Sequence, residues 1–143
     1  MKIGELAKAA NCSTETIRFY EREGLLPTPG RNDSNYRSYR GDHLERLRFI
    51  RNCRGLDMAH DEIRSLLAFI DRPHGDCAPV NDLLDEHIVH VDLRLAELQR
   101  LRKQLVGLRQ QCATAQSMQD CGIIHGLAAM ETEEKHPSAS HLG

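Results

Sequence analysis

Apolar residues recur along this chain in two rhythms: short helical bursts broken by turn residues up to about residue 72, then a seven-residue repeat from Pro79 to Gln111. In the first part, Ile3, Leu6 and Ala10 mark a short amphipathic helix and Asn11-Cys12 a turn. Ser13 then caps a second helix through Glu23, with Ile17 and Tyr20 directed inward. Two short helices joined by a tight turn form a helix-turn-helix. Gly24 stops the second helix, and Leu25-Leu26-Pro27-Thr28-Pro29 cannot extend it. From Asn32 to Tyr39 turn residues alternate with aromatics, the pattern of a small β-wing. A third helix is predicted from Asp42 to Gly55, with Glu45 as capping-box partner and Leu44, Leu47, Phe49, Ile50 and Cys53 apolar. A fourth, from about Ala59 to Ile70, should bury Ile63, Leu66, Leu67 and Ile70 before Arg72-Pro73 closes the unit.

In the second part Leu84, Val91, Leu98, Leu105 and Cys112 stand seven apart, with His87/Ile88, Arg94/Leu95, Leu101 and Leu108 between them. Such a heptad, flanked by charged positions, favours a partner helix over an internal core helix. The expected architecture is mainly α. A winged helix-turn-helix (1–72) is followed by a linker loop carrying Cys77 (73–78) and a long antiparallel coiled-coil dimerisation helix (79–112). A metal-binding loop with a short helix (113–128) and a charged, aperiodic tail expected to be disordered (129–143) complete the chain.

Composition agrees with a small helical core: 4% of residues are aromatic and there is no Trp. No apolar stretch reaches membrane-spanning length and the first residues lack a signal-peptide core, so a cytoplasmic protein without membrane contact is expected. The net charge of −2 conceals an asymmetry. Residues 1–54 carry eleven Lys/Arg against seven Asp/Glu, whereas the chain beyond residue 72 carries six against ten. A basic front half suits contact with DNA phosphates. Ser13, Thr16, Arg18 and Tyr20 of the second helix, with Arg31, Tyr36, Arg37 and Tyr39 of the wing, are the candidate DNA contacts.

Five cysteines, an odd number in a reducing compartment, point to thiol and metal chemistry over disulfides. Cys53 reads as core and Cys12 as turn packing. Cys77 lies in a Pro/Gly-bounded loop, Cys112 at the end of the heptad series, and Cys121 before Gly122 in a polar segment. One helix between Cys77 and Cys112 would hold them roughly 50 Å apart, so one chain cannot bring both sulfurs to one ion. Two antiparallel helices can, pairing Cys77 of one protomer with Cys112 and Cys121 of the other at two equivalent sites. Three thiolates suit soft divalent ions, and Pb²⁺, Cd²⁺ or Hg²⁺ would each accept such a pocket; Zn²⁺ would need a fourth ligand such as His125 or water. A weaker constellation is His87 and His90, three apart on one helix, with Asn81, His60 and Glu62 as potential completing ligands. His136 and His141 in the tail are thinner candidates still.

Lys2-Ile-Gly-Glu-Leu-Ala-Lys8, Glu15-Thr-Ile-Arg-Phe-Tyr-Glu-Arg-Glu-Gly-Leu-Leu-Pro27, Asn35-Tyr-Arg-Ser-Tyr39 and Leu47-Arg-Phe-Ile-Arg51 resemble the signature of the MerR family of bacterial transcription regulators. The three cysteines, with Asn52-Cys53-Arg54 and Leu56-Asp57-Met58, are similar to its cadmium- and lead-responsive members. The resemblance implies a homodimer on a palindromic operator, between promoter elements separated by an overlong spacer. It also implies that metal binding distorts the DNA so that RNA polymerase reads both elements. No nucleophile and base are paired as an enzyme would require. A metal buffer would leave the recognition helix and wing unexplained, while a redox- or organic-ligand-sensing regulator on the same scaffold remains the alternative.

Overall fold

The computed structural model describes residues 1–131, which fall into one compact unit from Met1 to Val80 and a second beginning at Asn81. The first holds α1 (Ile3–Ala9), α2 (Thr14–Arg22), β1 (Gly30–Arg31), β2 (Arg37–Ser38), α3 (Gly41–Gly55) and α4 (His60–Asp71). The helix α5 (Ala78–Gln110) begins at its end and runs through the second unit. A 3₁₀ turn (Met118–Asp120) and α6 (Gly122–Ala129) follow.

Local chemistry explains most boundaries of the first unit. Ser13 Oγ accepts the Thr16 N–H at 3.1 Å, satisfying one of the open donors at the start of α2. Asn11, at φ 54°, occupies the left-handed region that asparagine tolerates in the turn before it. The wing is an antiparallel pair with Gly30 opposite Ser38 and Arg31 opposite Arg37. Asn32 shapes its tip: Oδ1 accepts the N–H groups of Ser34 and Tyr36, each at 3.0 Å. Leu6, Ile17, Leu25, Leu26, Leu47, Ile50 and Ile63 are fully buried where these elements meet, and each buried side chain stabilises by about 1.5–3 kcal/mol. Arg46 ties the unit together. Its guanidinium clasps Asp71 at 2.7 and 2.8 Å while Nε donates to the Leu25 carbonyl at 3.1 Å.

Cys53 is buried, as the sequence suggested. Three expectations change. The α3 capping partner is His43, whose Nδ1 accepts the Arg40 N–H at 3.1 Å; the cap is Arg40, two residues before the expected Asp42, so the third position is His43 and Glu45 lies two residues too deep. Ile70 lies in the last turn of α4 and is 53% exposed, outside the core. Finally, α5 spans 78–110 where 79–112 was expected, which leaves Cys112 in the turn after the helix.

The 33 residues of α5 extend roughly 50 Å at 1.5 Å per residue. Pro79 is tolerated because it occupies the first turn, and Asp76 Oδ1 accepts the Ala78 N–H at 2.9 Å. Arg109 donates to the Cys112 carbonyl at 2.8 Å where the helix ends. Of the expected disordered tail, Ala129 closes α6; residues 132–143, including His136 and His141, lie outside the described residues. Among the described residues no helix is long and apolar enough to cross a membrane.

Candidate functional site

The DNA-facing candidates separate by burial. Ser13 and Arg18 are exposed on α2, and Thr16 shares a 2.9 Å hydrogen bond with the Ser13 hydroxyl. Arg31 is exposed on the wing, where its Nη1 donates to the Asn35 carbonyl at 3.0 Å, and Tyr36 is 66% exposed. Tyr20 and Tyr39 stand elsewhere. At 6% and 1% exposure they belong to the core and cannot present their rings to a groove, which corrects their place among the contacts. The cause is periodicity. Tyr20 shares the inward face of α2 with Ile17, and Tyr39, three residues after Tyr36, falls on the opposite side of the strand.

Arg37 shares its side of the strand with Tyr39, and both meet Glu21. The Glu21 carboxylate accepts Arg37 Nη1 at 3.0 Å and the Tyr39 hydroxyl at 2.5 Å. Burial first, then the hydrogen bond to Glu21 and its negative charge, push the Tyr39 phenol up to about 12, against a smaller opposing pull from Arg37. An open cleft lined by Ile3, Arg18, Glu21, Arg22, Thr28 and Arg37 lies on this face. Neither Glu21 nor its link between α2 and the wing was anticipated from sequence.

The cysteines divide by place. Cys77 is exposed just before α5; Cys112 and Cys121 are half-buried beyond its far end. Two glycines one turn apart bring Cys112 and Cys121 together. A Cβ at Gly122 would overlap the Gln111 carbonyl oxygen, and one at Gly126 would overlap the Gln111 side-chain oxygen. At Gly122 the obstacle is backbone, so only glycine lets the start of α6 lie this close to the end of α5, whereas at Gly126 the Gln111 side chain could swing aside. Cys121 then sits at the start of α6, where the Ile124 N–H most of all lowers its thiol pKa, against some desolvation, with the Ile123 N–H and the Cys112 side chain adding to the effect. The Cys112 thiol has two acceptors in reach, the Thr114 carbonyl at 3.4 Å and Cys121, and its single proton serves one at a time.

Cys53 and Cys12 behave oppositely: burial pushes both thiols up, with Arg51 partly opposing this at Cys12. In the metal-free protein near neutral pH, Cys121 should therefore be alkylated by iodoacetamide well before Cys12 or Cys53. Peptide mapping after timed quenching reads the order, and equal rates would contradict this account of the α6 terminus. The two juxtaposed sulfurs, one inclined to ionise, fit a soft ion as the chemistry of the donor set requires. His125 is engaged differently: its Nε2 lies 2.5 Å from the Gln119 carbonyl, so that nitrogen carries the proton and secures the loop.

Of the histidine constellation, His87 and His90 stand edge to face on α5 with ring centroids 6.2 Å apart. Asn81 is exposed on the same helix. The His60 ring lies tilted against Phe19, with centroids 5.3 Å apart, and edge-on to Tyr20 at 6.2 Å, within the first unit. Glu62 accepts the Ala59 N–H at 2.9 Å as the cap of α4.

Comparison with known proteins adds two family models. Residues 1–70 match the MerR HTH family regulatory protein model, and residues 44–108 match the model described as MerR, DNA binding. The chain is 48% identical over 110 residues to the HTH-type transcriptional regulator ZntR homolog of Haemophilus influenzae, covering 77% of this chain and 82% of that one. Among solved structures, the transcription regulator PbrR691 from Ralstonia metallidurans, crystallised in complex with lead(II), is 50% identical. Its TM-score is 0.80, and 89% of this chain and 98% of that chain are covered. The regulator MerR from Bacillus megaterium, in complex with mercury(II), is 30% identical with a TM-score of 0.71 over 90% and 99% of the two chains.

Proposed function

Because the chain belongs to the MerR family of transcriptional regulators, we propose that it acts as a homodimer on promoter DNA and activates heavy-metal resistance genes in response to a soft divalent ion. The ion is held by Cys112 and Cys121 of one protomer and Cys77 of the other, and Cd²⁺ or Pb²⁺ is the physiological inducer. The observation that carries this reading is the division of the cysteines: two are gathered by α6 at one end of α5, and the third is left exposed at the other end. The similarity to a regulator crystallised with lead(II) supports the ion class.

The dimer is argued from α5 itself. In the single chain Leu84, Ile88, Val91, Leu95, Leu98, Leu101 and Leu105 are exposed, from 37% at Val91 to 65% at Leu105, a row of apolar side chains that a second copy would cover, whereas His87 is already buried. When bound, the ion supplies positive charge that stabilises converging thiolates. The protein's part is positional. Cys112 follows α5 directly, so a shift of Cys112 is passed to the seam and to the spacing of the two DNA-reading helices. The operator lies between promoter elements read by RNA polymerase, and the setting is the cytoplasm, where thiols stay reduced. His87 and His90 offer a second, weaker transition-metal site.

Arg18 and Arg37 carry DNA contact in this reading, with Ser13, Thr16, Arg31 and Tyr36 beside them. Arg18→Ala should weaken operator binding by about 1–3 kcal/mol per protomer while leaving metal affinity unchanged. Fluorescence anisotropy with a labelled operator measures it, and unchanged affinity would remove Arg18 from the interface. The function as a whole is tested by competitive titration of the purified dimer with Cd²⁺, Pb²⁺, Hg²⁺ and Zn²⁺, followed by thiolate charge-transfer absorption and transcription in vitro. Induction by peroxide or an organic ligand, with none by any of the four ions, would favour the alternative sensor class.

A further inference from the structure

Glu21 is an acid on a face otherwise suited to meeting phosphates. It lines the same cleft as Arg18, Arg22 and Arg37, where a bare negative charge should repel DNA. Its surroundings indicate another use. The Glu21 side chain is 8% exposed whereas Arg37 keeps 43%, so the carboxylate is withdrawn while the guanidinium still faces solvent. Arg37 Nη1 donates to it at 3.0 Å and the Tyr39 hydroxyl also lies against the guanidinium, while the solvent-facing edge of the fork stays open to a phosphate. The Tyr39 hydroxyl, donated to the other carboxylate oxygen at 2.5 Å, fixes Glu21 from the core side.

We propose that Glu21 is a positioning residue for DNA binding: anchored by Tyr39, it holds the wing's Arg37 in the orientation that meets a phosphate. This rests on the reading of Arg37 as a phosphate contact. A long arginine gives up considerable rotamer freedom on binding, and a preset guanidinium loses less of it at the moment of contact. Simple electrostatics and positioning therefore give opposite signs: removing an acid beside DNA should tighten binding, whereas removing a clamp should loosen it.

The test uses the full chain and a DNA duplex selected from random sequence by the wild-type protein, with affinity measured across a salt series. Arg37→Ala should weaken binding and lower the salt slope by about one per protomer. Glu21→Gln should lose roughly 3- to 10-fold in affinity and lower the slope in the same direction, and should add nothing in the Arg37→Ala background. Glu21→Asp keeps the charge but withdraws it by one methylene; it should show the same loss, and it serves if Glu21→Gln fails to fold. Tighter binding by Glu21→Gln with an unchanged slope, a wild-type Glu21→Asp, or an equal Glu21→Gln penalty with and without Arg37 would each overturn the assignment. If Arg37→Ala binds as wild type, the phosphate reading of Arg37 itself fails and takes this inference with it.

Discussion

Replacing Cys112 with Ser should abolish metal-induced transcription while leaving operator affinity at the wild-type level. The hydroxyl is a hard donor that keeps its proton at neutral pH, so it does not replace a thiolate toward Cd²⁺ or Pb²⁺. Loss of a direct ligand should exceed the 10- to 100-fold typical of a supporting residue, so metal affinity should fall by at least about 100-fold. Operator binding should persist because the proposed DNA contacts belong to the unit ending at Val80, whereas Cys112 lies beyond α5. Titration followed by charge-transfer absorption, paired with operator binding on the same preparation, checks both halves. Normal induction in the variant would dismiss Cys112 as a ligand.

The second large effect belongs to the seam. Leu98→Asp places a carboxylate in the apolar row of α5, where Leu98 is 47% exposed in the single chain. Each dimer contains two such sites, and each loses about 1.5–3 kcal/mol of burial and gains the desolvation of an unpaired charge. Dimer affinity should fall by at least about 100-fold, since even 3 kcal/mol corresponds to that ratio. Gln99→Asp, one position off the seam, controls for charge and should leave association unchanged. Sedimentation equilibrium over a concentration series measures both. A Leu98→Asp protein as dimeric as wild type would mean that the partner contact lies elsewhere.

Much of this was legible because the signals were local. Ser13 capping α2, the turn residues of the wing and the heptad of α5 each depend on a few neighbouring residues, and the structure contains the corresponding elements. What escaped depended on pairs distant in sequence. Tyr39 looked like a wing contact until Glu21, eighteen residues earlier, was seen to take its hydroxyl. Glu45 satisfied the capping pattern, but Arg40 adopted the extended cap conformation and His43 reached its N–H first. Gly122 was noticed only as a neighbour of Cys121. That it works with Gly126 against Gln111 required knowing that the chain turns back on the end of α5. The histidines show the converse: spacing brought His87 and His90 to one helix face, yet spacing alone could not reveal that the His60 ring packs against Phe19 and Tyr20.

Mixing two crippled protomers tests most directly whether the thiolates come from different subunits. A Cys77→Ser chain and a Cys112→Ser/Cys121→Ser chain, tagged differently and co-purified as a mixed dimer, retain between them one complete set of three sulfurs only if the set is shared across the interface. The mixed dimer should recover the thiolate charge-transfer band of a single tightly held Pb²⁺ or Cd²⁺ ion, which neither parental homodimer shows. A mixed dimer as inert as its parents, or a Cys77→Ser homodimer that binds the ion as wild type does, would contradict the shared site.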